Sequence, residues 1–543
     1  MPAQKQKILI LDGVHEVCWK ALVAEGFSVT QEAPMPADKL EAKIGRYSAV
    51  VVRGASKLNA AALRAGSKGA LRLAVRAGAG FDNISVNDAT RLGIIVENTP
   101  GTNAQAVIEH TLAALIIMAR NIVPAHNSLK AGKWEKKAFE GTELHGQTLG
   151  IIGIGRIGRG VATLAKAMGM RVVVYDPVVS KDKAQELGAE LQPPEKVFEQ
   201  ADFLTLHAAL TEQSRGIVNE KALARMKPGV CIANCARAEL VDKNALLKAL
   251  DSGKVKYYFT DVFEVEPPQN DPILPHPRVL ATPHLAGSTE ESGIEGARMA
   301  AQQIIAYFRD DRIVNAVNFA PGDPSLKPWE ALADKLGSFA YQYLADGGFK
   351  RVTITYSGKI AGLDTNRVTC SFYAGFLKNV SDSVNIVNAK SIAAERGITM
   401  AEARGGGQTE GMVVSVLCGD GPSTSSGPPR AWSRGGEVTL SGACVLGKPI
   451  LQKVDEYTFD IPLVEKHFLV SLHSDVPGIV GIIGTVLGAN RINIEKMGLQ
   501  DITGRPAMAV ITTREEVPES AIAQIAAAVK RKKGGIVLKR VRL

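Results

Sequence analysis

The sequence predicts an α/β protein with parallel sheets over roughly its first 320 residues and an α+β region after them. Ten short apolar runs occur before residue 286, and each is followed by a helix-like segment. The runs are continuous rather than alternating, which is typical of strands buried on both faces. After residue 318 the runs give way to alternating stretches such as RVTITYSGKI (351–360), which favour an α+β arrangement. In this region the Pro/Gly-rich residues 320–330 predict a linker, and residues 379–397 predict a helical segment.

The ten runs divide into two groups, because ten strands are too many for one regular sheet. The first four precede a glycine-rich loop and predict one α/β domain, and the six that begin with that loop predict a second. Strands that alternate with helices imply parallel pairing in both. In chain order the runs are residues 7–12, 49–54, 71–78, 93–98, 149–155, 171–177, 203–208, 230–236, 257–263 and 279–285.

Length and charge set limits on the number of domains and on the partners. A chain of 543 residues predicts three or four domains. The net charge of +9 is spread along the chain and only weakly favours an acidic ligand. The densest basic run, residues 530–533, lacks the stacking aromatic residues of single-strand binders. We therefore expect a solvated face there and no nucleic-acid partner.

Cysteine usage and the apolar runs predict the compartment. The six cysteines contain no CxxC spacing, which argues for free thiols in a reducing compartment and against a metal site or a disulfide framework. The N-terminus has no secretory apolar region. The apolar run Thr111–Ala119 is far too short to cross a membrane. We therefore expect a soluble cytoplasmic protein without a membrane partner and without a metal.

The glycine-rich loop predicts a Rossmann-type dinucleotide site. Gly153, Gly155 and Gly158 form a GxGxxG motif between an apolar strand and a helix, and Asp176 ends the next strand eighteen residues beyond Gly158. The first glycine permits a tight turn, the second a close approach of a pyrophosphate, and the third close packing of helix and strand. Asp176 accepts from ribose hydroxyls and repels a 2′-phosphate, which favours NAD over NADP. The alternative is a glycine-rich turn without a ligand.

Three residues that follow strands of the second domain predict hydride-transfer chemistry on a 2-hydroxy acid. Arg237 can bind a carboxylate in a bidentate fork. His284 can take the hydroxyl proton near neutral pH, and Glu266 can orient its ring. Each also has an ordinary alternative: a surface arginine, a solvated glutamate and a histidine with structural hydrogen bonds. The set of three at the carboxyl edge of a nucleotide-binding sheet favours catalysis.

The motifs resemble those of a known family. LGIIGIGRIG (149–158), NCAR (234–237), DVFEVEPP (261–268) and TPHLAGSTEE (282–291) are similar to the D-isomer-specific 2-hydroxyacid dehydrogenases, and within them to the long-form D-3-phosphoglycerate dehydrogenases. The resemblance implies NAD-dependent oxidation of 3-phosphoglycerate to 3-phosphohydroxypyruvate, the first step of L-serine synthesis. It also implies a homodimer or homotetramer, a Rossmann-type nucleotide domain and a flavodoxin-like substrate domain.

The resemblance also implies roles for individual residues. Arg237, Glu266 and His284 match the catalytic set, and further residues match positions that contact the cofactor or the phosphate-bearing substrate. The additional cofactor positions are Arg156, Ile157, Cys235, Ala236, Asp261 and Gly287. The substrate positions are Arg53, Lys57, Arg76, Asn103 and Lys136, of which the last lies where relatives often reach across a dimer.

Two departures from the family pattern bear on turnover. Ala238 and Glu239 stand where two glycines are usual, so a positive φ there would strain the backbone. Glu239 could also pair with Arg237 and compete with the substrate carboxylate. Ala208 and Ala209 replace a threonine and a proline that follow a strand histidine, which removes a hydroxyl contact to the cofactor.

The C-terminal segments resemble regulatory modules. From His467 onward the pattern predicts a βαββαβ unit similar to an ACT domain, a small ligand-binding module. His473, Asp475 and Asn493 match its ligand-binding pattern and imply L-serine as an effector; the alternative is a dimerisation module without a ligand. Residues 320–455 resemble the intervening, allosteric substrate-binding domain of long forms, and within them 419–436 predicts a low-complexity loop of undetermined role.

The predicted division is therefore a discontinuous substrate domain at 1–100 and 289–318, a nucleotide domain at 101–288, an intervening domain at 320–455 and an ACT domain at 465–543. Two alternatives for the function remain open. One is a different D-2-hydroxyacid dehydrogenase, such as a hydroxypyruvate or glyoxylate reductase. The other is a catalytically impaired NAD-binding regulatory paralogue, which the Ala238-Glu239 pair would explain.

Overall fold

The computed structural model describes residues 5–320, 322–344, 349–381, 384–405, 410–418, 437–464, 466–532 and 534–543. The loop predicted at 419–436 lies outside these residues. The described chain forms four sheets of five, seven, six and four strands. The first two are parallel α/β sheets and the last two are mixed and antiparallel, so the predicted fold class is confirmed.

The first sheet has five parallel strands in the order β2-β1-β3-β4-β5, the flavodoxin-like order. Its strands are β1 (Lys7–Ile10), β2 (Ser28–Gln31), β3 (Ala49–Val52), β4 (Leu73–Arg76) and β5 (Ile95–Asn98). Its helices are α1 (Glu16–Ala24), α2 (Ala37–Ile44), α3 (Ala60–Ser67) and α4 (Val86–Arg91). The sequence missed only β2, because SVTQ lies at the sheet edge and none of its residues is buried.

The second sheet has seven parallel strands in the order β12-β11-β10-β9-β6-β7-β8. Its strands are β6 (Thr148–Ile152), β7 (Arg171–Tyr175), β8 (Glu190–Leu191), β9 (Phe203–Leu206), β10 (Val230–Asn234), β11 (Val255–Thr260) and β12 (Val279–Ala281). The helices that precede or flank it are α5 (Ala104–Ala119), α6 (Ile122–Lys130), α7 (Arg156–Ala167), α8 (Lys181–Glu186), α9 (Pro194–Gln200), α10 (Glu220–Arg225) and α11 (Lys243–Asp251). Strand β8, a two-residue edge strand, was not predicted.

Helix α12 (Glu290–Asp310) returns the chain to the first sheet. Ala297, Ala301 and Ile304 of this helix are buried in the same core as Ile8 of β1. The segment after the helix is tied to β5, because the buried Glu97 side chain accepts a hydrogen bond from the Val314 amide at 2.8 Å. The two α/β lobes are thus joined by two crossings of the chain, and the groove between them is the site considered below.

The third sheet is mixed, in the order β14-β13-β15-β16-β17-β18. Its strands are β13 (Phe349–Ser357), β14 (Thr399–Arg404), β15 (Gly411–Cys418), β16 (Glu437–Val445), β17 (Lys448–Val454) and β18 (Tyr457–Pro462). Its helices are α13 (Lys327–Tyr343), α14 (Asn366–Leu377) and α15 (Ala389–Glu395). Strand β18 pairs with β17, so this sheet continues past residue 455.

Two local predictions in this region are wrong. Residues 320–330 were expected to form a linker, but α13 begins at Lys327 and buries Trp329. Residues 379–397 were expected to be helical, but in the described part only Ala389–Glu395 is a helix. The long helix α14 was missed because most of its residues are buried, so it has no amphipathic period to recognise.

The fourth sheet is the predicted βαββαβ unit, in the order β20-β21-β19-β22. Its elements are β19 (His467–His473), α16 (Ile479–Ala489), β20 (Ile494–Gln500), β21 (Ala507–Thr513), α17 (Glu519–Arg531) and β22 (Ile536–Arg542). Its two helices cover one face. The other face places Phe468 and Val470 in one core with Leu336 and Phe339 of α13. The third and fourth sheets therefore share a continuous hydrophobic core.

Among the described residues, no single helix is both long and apolar enough to cross a membrane, although α5 and α6 pass that test together as a pair bent by 63°.

Candidate active site

A cleft of about 790 Å³ lies where the carboxyl ends of the first two sheets face each other. Such an edge is where parallel α/β sheets bind ligands. Most of the candidate residues meet there. Those that line the cleft are Arg53, Arg76, Asn103, Ile157, Cys235, Ala236, Arg237, Asp261, Glu266, His284 and Gly287. The cleft thus combines the predicted catalytic set with cationic residues of the substrate domain.

His284 and Glu266 form the predicted pair at the cleft surface. The Nδ1 atom of His284 lies 2.9 and 2.8 Å from the two carboxylate oxygens of Glu266. The Glu266 carboxylate also accepts from the Phe263 amide at 3.2 Å, which fixes its position. Because a carboxylate accepts hydrogen bonds, Nδ1 carries the proton and Nε2 keeps its lone pair for a substrate.

The loop that carries His284 is held by Asp261, a fully buried carboxylate at the end of β11. Its oxygens accept from the Leu285 amide at 2.7 Å, the Ala286 amide at 2.8 Å and the Thr282 hydroxyl at 2.6 Å. His284 itself has a φ of +54°, a conformation that non-glycine residues rarely adopt. These hydrogen bonds offset that strain, so Asp261 positions the loop as well as lining the cleft.

Arg237 follows β10 in a turn that Asn234 holds. The Asn234 side chain accepts from the Ala236 amide at 3.0 Å and donates to the Arg237 carbonyl at 2.9 Å. The Arg237 guanidinium reaches across the cleft and meets Asp82 of the first lobe, with Nη2 2.8 Å from one carboxylate oxygen. Its other terminal nitrogen donates to the Ala236 carbonyl at 2.7 Å. Arg237 is therefore a positioned cation that faces the cleft.

The structure answers the question raised by Ala238 and Glu239. Both lie in a short 3-10 helix, Ala238–Leu240, and neither has a positive φ. Arg237 pairs with Asp82, and the Glu239 carbonyl accepts from the Gly216 amide at 2.8 Å. The backbone strain and the Glu239–Arg237 pairing that the sequence allowed are absent from this fully described turn.

Arg53 and Arg76 form the cationic wall on the substrate-domain side. The loop that carries Arg53 is held by Asp12, whose carboxylate accepts from the amides of Arg53 at 2.9 Å and Ser56 at 3.0 Å. The Asn83 side chain donates to the carbonyls of the same two residues at 2.9 and 2.8 Å. The side chains of Asp12 and Asn83 therefore hold the backbone of the loop that places Arg53 in this wall.

Arg76 is a partly buried cation whose environment favours a bound anion. Burial, followed by repulsion from Arg53 and Arg237, lowers the pKa of Arg76 to about 10, while Asp82 and Asp12 oppose the shift. Its Nε atom is buried and lacks a hydrogen-bond partner among the described residues. A bound dianion would satisfy this atom and relieve the repulsion, which is the chemistry of a phosphate site.

The glycine loop fits a dinucleotide. Gly153 has a φ of +93°, and a Cβ there would lie 2.7 Å from the Ala208 amide nitrogen. A Cβ on Gly158 would collide with the Gly153 carbonyl, whereas Gly155 faces open space where a pyrophosphate can approach. Asp176 accepts from the Ile154 amide at 2.9 Å and so stands beside this loop. Each residue therefore has the geometry that the motif predicts.

The other cofactor candidates lie around the loop and the cleft. Arg156 is the first residue of α7 and lies against Gly101. The amide of Asn103 lies against Gly287, so these two candidates face each other. Burial raises the pKa of Cys235 to about 12, which keeps its thiol protonated and unreactive near neutral pH.

Two substrate candidates do not line the cleft of this chain. Lys57 is exposed beside the Arg53 loop, and Lys136 is exposed in a 3-10 helix, Lys136–Phe139, outside the cleft. Near Lys136 the Trp134 side chain is 84% exposed, and helix α6 has no buried residue. Lys136 could therefore serve only a cleft that another copy of the chain provides.

The effector candidates are split within one chain. His473 ends β19 and Asp475 follows in the next loop, but Asn493 precedes β20 at the opposite end of α16. His473 pairs with Ala507 of β21 and Ile494 pairs with Thr513, six strand residues away. At about 3.4 Å per residue this separation is roughly 20 Å. The Nε2 atom of His473 is buried without a partner among the described residues.

Sequence reasoning missed several residues of the cleft. Asp12 follows β1 in ILDG, and Asp82 lies in the loop after β4 in GFDNI, so both stand at the edge where parallel sheets bind ligands. His207 directly follows β9 and lines the cleft. Burial lowers its pKa to about 4, so the ring is neutral near pH 7, and its Nε2 atom lacks a partner among the described residues. In each case the sequence feature that could have identified the residue was its place after a strand, because no motif marks it.

Comparisons with known proteins agree with this geometry. Residues 112–286 match the family model described as D-isomer specific 2-hydroxyacid dehydrogenase, NAD binding domain. Residues 325–413 match the model described as D-3-phosphoglycerate dehydrogenase intervening domain.

Curated relatives match over most of their length. The D-3-phosphoglycerate dehydrogenase of Archaeoglobus fulgidus is 36% identical over 90% of this chain and 91% of its own. That of Methanocaldococcus jannaschii is 36% identical over 96% of this chain and 97% of its own. Among solved structures, a glyoxylate reductase from Paecilomyes thermophila aligns with a TM-score of 0.53 at 29% identity, over 60% of this chain and 100% of that one.

Proposed function

This chain belongs to the D-3-phosphoglycerate dehydrogenase family and is an NAD-dependent dehydrogenase, and we propose that its cleft oxidises the C2 hydroxyl of 3-phosphoglycerate to 3-phosphohydroxypyruvate. One observation carries the proposal. The His284–Glu266 pair and Arg237 share a cleft with Arg76, a partly buried cation whose buried Nε atom lacks a hydrogen-bond partner among the described residues. A substrate with a carboxylate at one end and a phosphate at the other matches that arrangement.

The residues divide the chemistry among themselves. His284 takes the C2 hydroxyl proton at Nε2, because its Nδ1 proton is engaged by Glu266. Glu266 stabilises the imidazolium that results, by the charge it places within 3 Å of the ring. The nicotinamide ring of bound NAD supplies the hydride acceptor. Gly153, Gly155 and Asp176 are the residues that would hold the dinucleotide.

The arginines hold the two ends of the substrate. Arg237 binds the carboxylate, and Arg53 and Arg76 bind the phosphate. Charge-assisted hydrogen bonds of this kind each contribute about 1.5–3 kcal/mol. Asn103 faces the same cleft and can donate to the substrate through its amide.

The phosphate assignment is tested with Arg76→Met and two substrates. With 3-phosphoglycerate we expect kcat/KM to fall about 10- to 100-fold, as for the loss of a charged hydrogen bond. With D-glycerate, which lacks the phosphate, we expect a change of less than about threefold. Arg72→Met, an exposed arginine at the start of the same strand, is the control. Equal losses of kcat/KM with both substrates would contradict the assignment of Arg76 to the phosphate.

The assembly is proposed to be a homodimer or homotetramer in which Lys136 enters the partner's cleft. Helix α6 has no buried residue, and the side chains of Leu129 and Trp134 are more than half exposed. An apolar surface of this kind favours association with a second copy. Sedimentation at several concentrations with Trp134→Glu tests it, and an unchanged mass would remove this surface from the interface.

L-serine is proposed as an effector that binds between two copies of the C-terminal unit. His473 and Asp475 lie at one end of α16 and Asn493 at the other, so a site that uses all three needs two chains. The partnerless Nε2 atom of the buried His473 is a group that such a ligand would satisfy.

We also propose the predicted division into substrate, nucleotide, intervening and ACT domains, with the third extended to Pro462 by strand β18. Five cysteines, Cys18, Cys231, Cys235, Cys370 and Cys444, are free thiols, which supports a reducing compartment and hence the cytoplasm as the proposed location.

A further inference from the structure

The carboxylate of Asp82 forms an ion pair with Arg237, the arginine assigned to the substrate carboxylate. We propose that Asp82 is the resident partner of Arg237, and that substrate binds by exchanging its own carboxylate for that of Asp82 rather than by adding to a free cation. The proposal deepens the proposed function, because it assigns a residue that sets how tightly the same site takes a 2-hydroxy acid.

The contact has the form that a substrate carboxylate would take. Nη2 of Arg237 lies 2.8 Å from Oδ2 of Asp82, and Nε lies 3.4 Å from Oδ1. These two donors point in parallel and form the side of the guanidinium that binds carboxylates in a fork. The remaining nitrogen, Nη1, donates to the Ala236 carbonyl at 2.7 Å. A second carboxylate cannot use the same fork while Asp82 holds it.

The local backbone permits this contact. A Cβ on Gly80 would collide with Nη2 of Arg237, so a side chain at this position would displace the guanidinium from its present place beside Asp82. The next residue along, Asn83, donates to the carbonyls of Arg53 and Ser56. The segment 80–83 therefore connects Arg237 of one lobe to the Arg53 loop of the other.

Exposure makes the pair exchangeable. The Asp82 side chain is 68% exposed and that of Arg237 is 31% exposed. Exposed ion pairs contribute roughly 0–1 kcal/mol, so an incoming carboxylate can displace one. Asp82 also lies close enough to Arg76 to oppose the lowering of its pKa. Before substrate binds, Asp82 thus offsets part of the repulsion among Arg53, Arg76 and Arg237.

Exchange has a consequence for affinity. An anionic substrate that arrives at the three arginines must move Asp82 away, and the net gain from Arg237 is reduced by the lost pair. Replacing Asp82 by Asn keeps the shape of the side chain and removes the charge. We expect Asp82→Asn to lower the KM for 3-phosphoglycerate about three- to fivefold, the range that an exposed pair allows, with kcat changed less than twofold.

Two controls separate this effect from others. Glu290→Gln removes one negative charge from the adjoining cavity without touching Arg237, so a general gain in anion attraction would appear in both variants. Asp82→Ser removes the carboxylate with a different shape, so a shared effect with Asp82→Asn follows from the charge. Thermal melting checks that each variant is folded.

A binding measurement keeps the proposal testable apart from the assigned substrate. Tartronate, a hydroxy-dicarboxylate without a phosphate, is titrated calorimetrically into NAD-loaded protein. We expect its Kd to fall three- to fivefold in Asp82→Asn and Asp82→Ser but not in Glu290→Gln. If that occurs while wild-type protein fails to oxidise 3-phosphoglycerate, the exchange stands and the proposed substrate fails. An unchanged or weaker Kd in the Asp82 variants overturns the proposal, because Asp82 would then merely orient Arg237.

Discussion

The catalytic cleft and the candidate effector site differ in how the fold gathers their residues. The cleft collects residues from Asp12 to Ser288 of one chain, because the parallel strands of each lobe have their carboxyl ends at one edge of the sheet. The C-terminal unit is antiparallel, so its successive loops alternate between opposite ends of the sheet. His473 and Asn493 are therefore apart in one chain. A parallel fold can build a site within one chain, whereas a site that used both His473 and Asn493 would need a second copy of the chain.

The largest expected effect tests whether the cleft is complete within one chain. We expect His284→Ala to lower kcat by about 10³-fold, within the range for loss of a general base, and Glu266→Gln by about 10- to 100-fold, because it only orients the ring. His276→Ala is the control, since that histidine faces Asp251 away from the cleft. Mixtures of wild-type and His284→Ala chains should show activity in proportion to the wild-type fraction. A loss below tenfold for His284→Ala would contradict its role as the base.

The second prediction tests whether the effector site is shared. His473→Ala and Asn493→Ala should each raise the inhibitory concentration of L-serine at least tenfold, with basal activity within twofold. Chains that carry the two changes separately, when combined in one dimer, should recover one intact site and partial inhibition. Asn490→Ala, at the end of α16 and bonded to Gln524, is the control. If inhibition by L-serine is not recovered in this mixed dimer, the site lies within a single chain or does not exist.

The third prediction tests whether the catalytic cleft also uses a residue of a second chain, and Lys136 is the candidate for that residue. If it enters the neighbouring cleft, Lys136→Ala should raise the KM for 3-phosphoglycerate about three- to tenfold and leave kcat within twofold. Lys137→Ala changes the adjacent residue of the same 3-10 helix and should have little effect. Equal effects of the two variants would indicate a general change in surface charge instead.

The sequence predicted those parts of the molecule that local pattern determines. All ten apolar runs became strands, and nine of these strands have mostly buried residues; the exception is β12, a three-residue strand at the sheet edge. The edge strands β2 and β8 were missed. They have four and two residues respectively, and because these residues are at least partly exposed, neither strand contains an apolar run. Helix α14 was missed for the opposite reason: a helix buried on nearly all sides has no polar face to set its period.

The residues of the candidate site also divide into those that a local sequence pattern identifies and those that it does not. Gly153, Arg237 and His284 were recognisable because each stands in a motif beside a strand. Asp82 was not, because its role depends on a contact with a residue 155 positions away. The backbone angles of Ala238 and Glu239 could not be predicted from the sequence either. The glycines that are usual at these positions in the family permit a positive φ but do not prove that the turn has one. Contacts between lobes and backbone angles require the folded chain.

The smallest expected effect concerns those two residues. Ala238→Gly combined with Glu239→Gly should change kcat/KM by less than twofold, because neither residue has a positive φ and Arg237 bonds Asp82 instead. The change should nevertheless lower the free energy of unfolding by about 1–2 kcal/mol, since each glycine increases the entropy of the unfolded chain. Kinetics and thermal unfolding on one preparation check both parts. A large gain in activity would mean that the turn restrains Arg237 in a way that its hydrogen bonds do not reveal. The cleft would then be limited by its own backbone rather than by the exchange of carboxylates at Arg237.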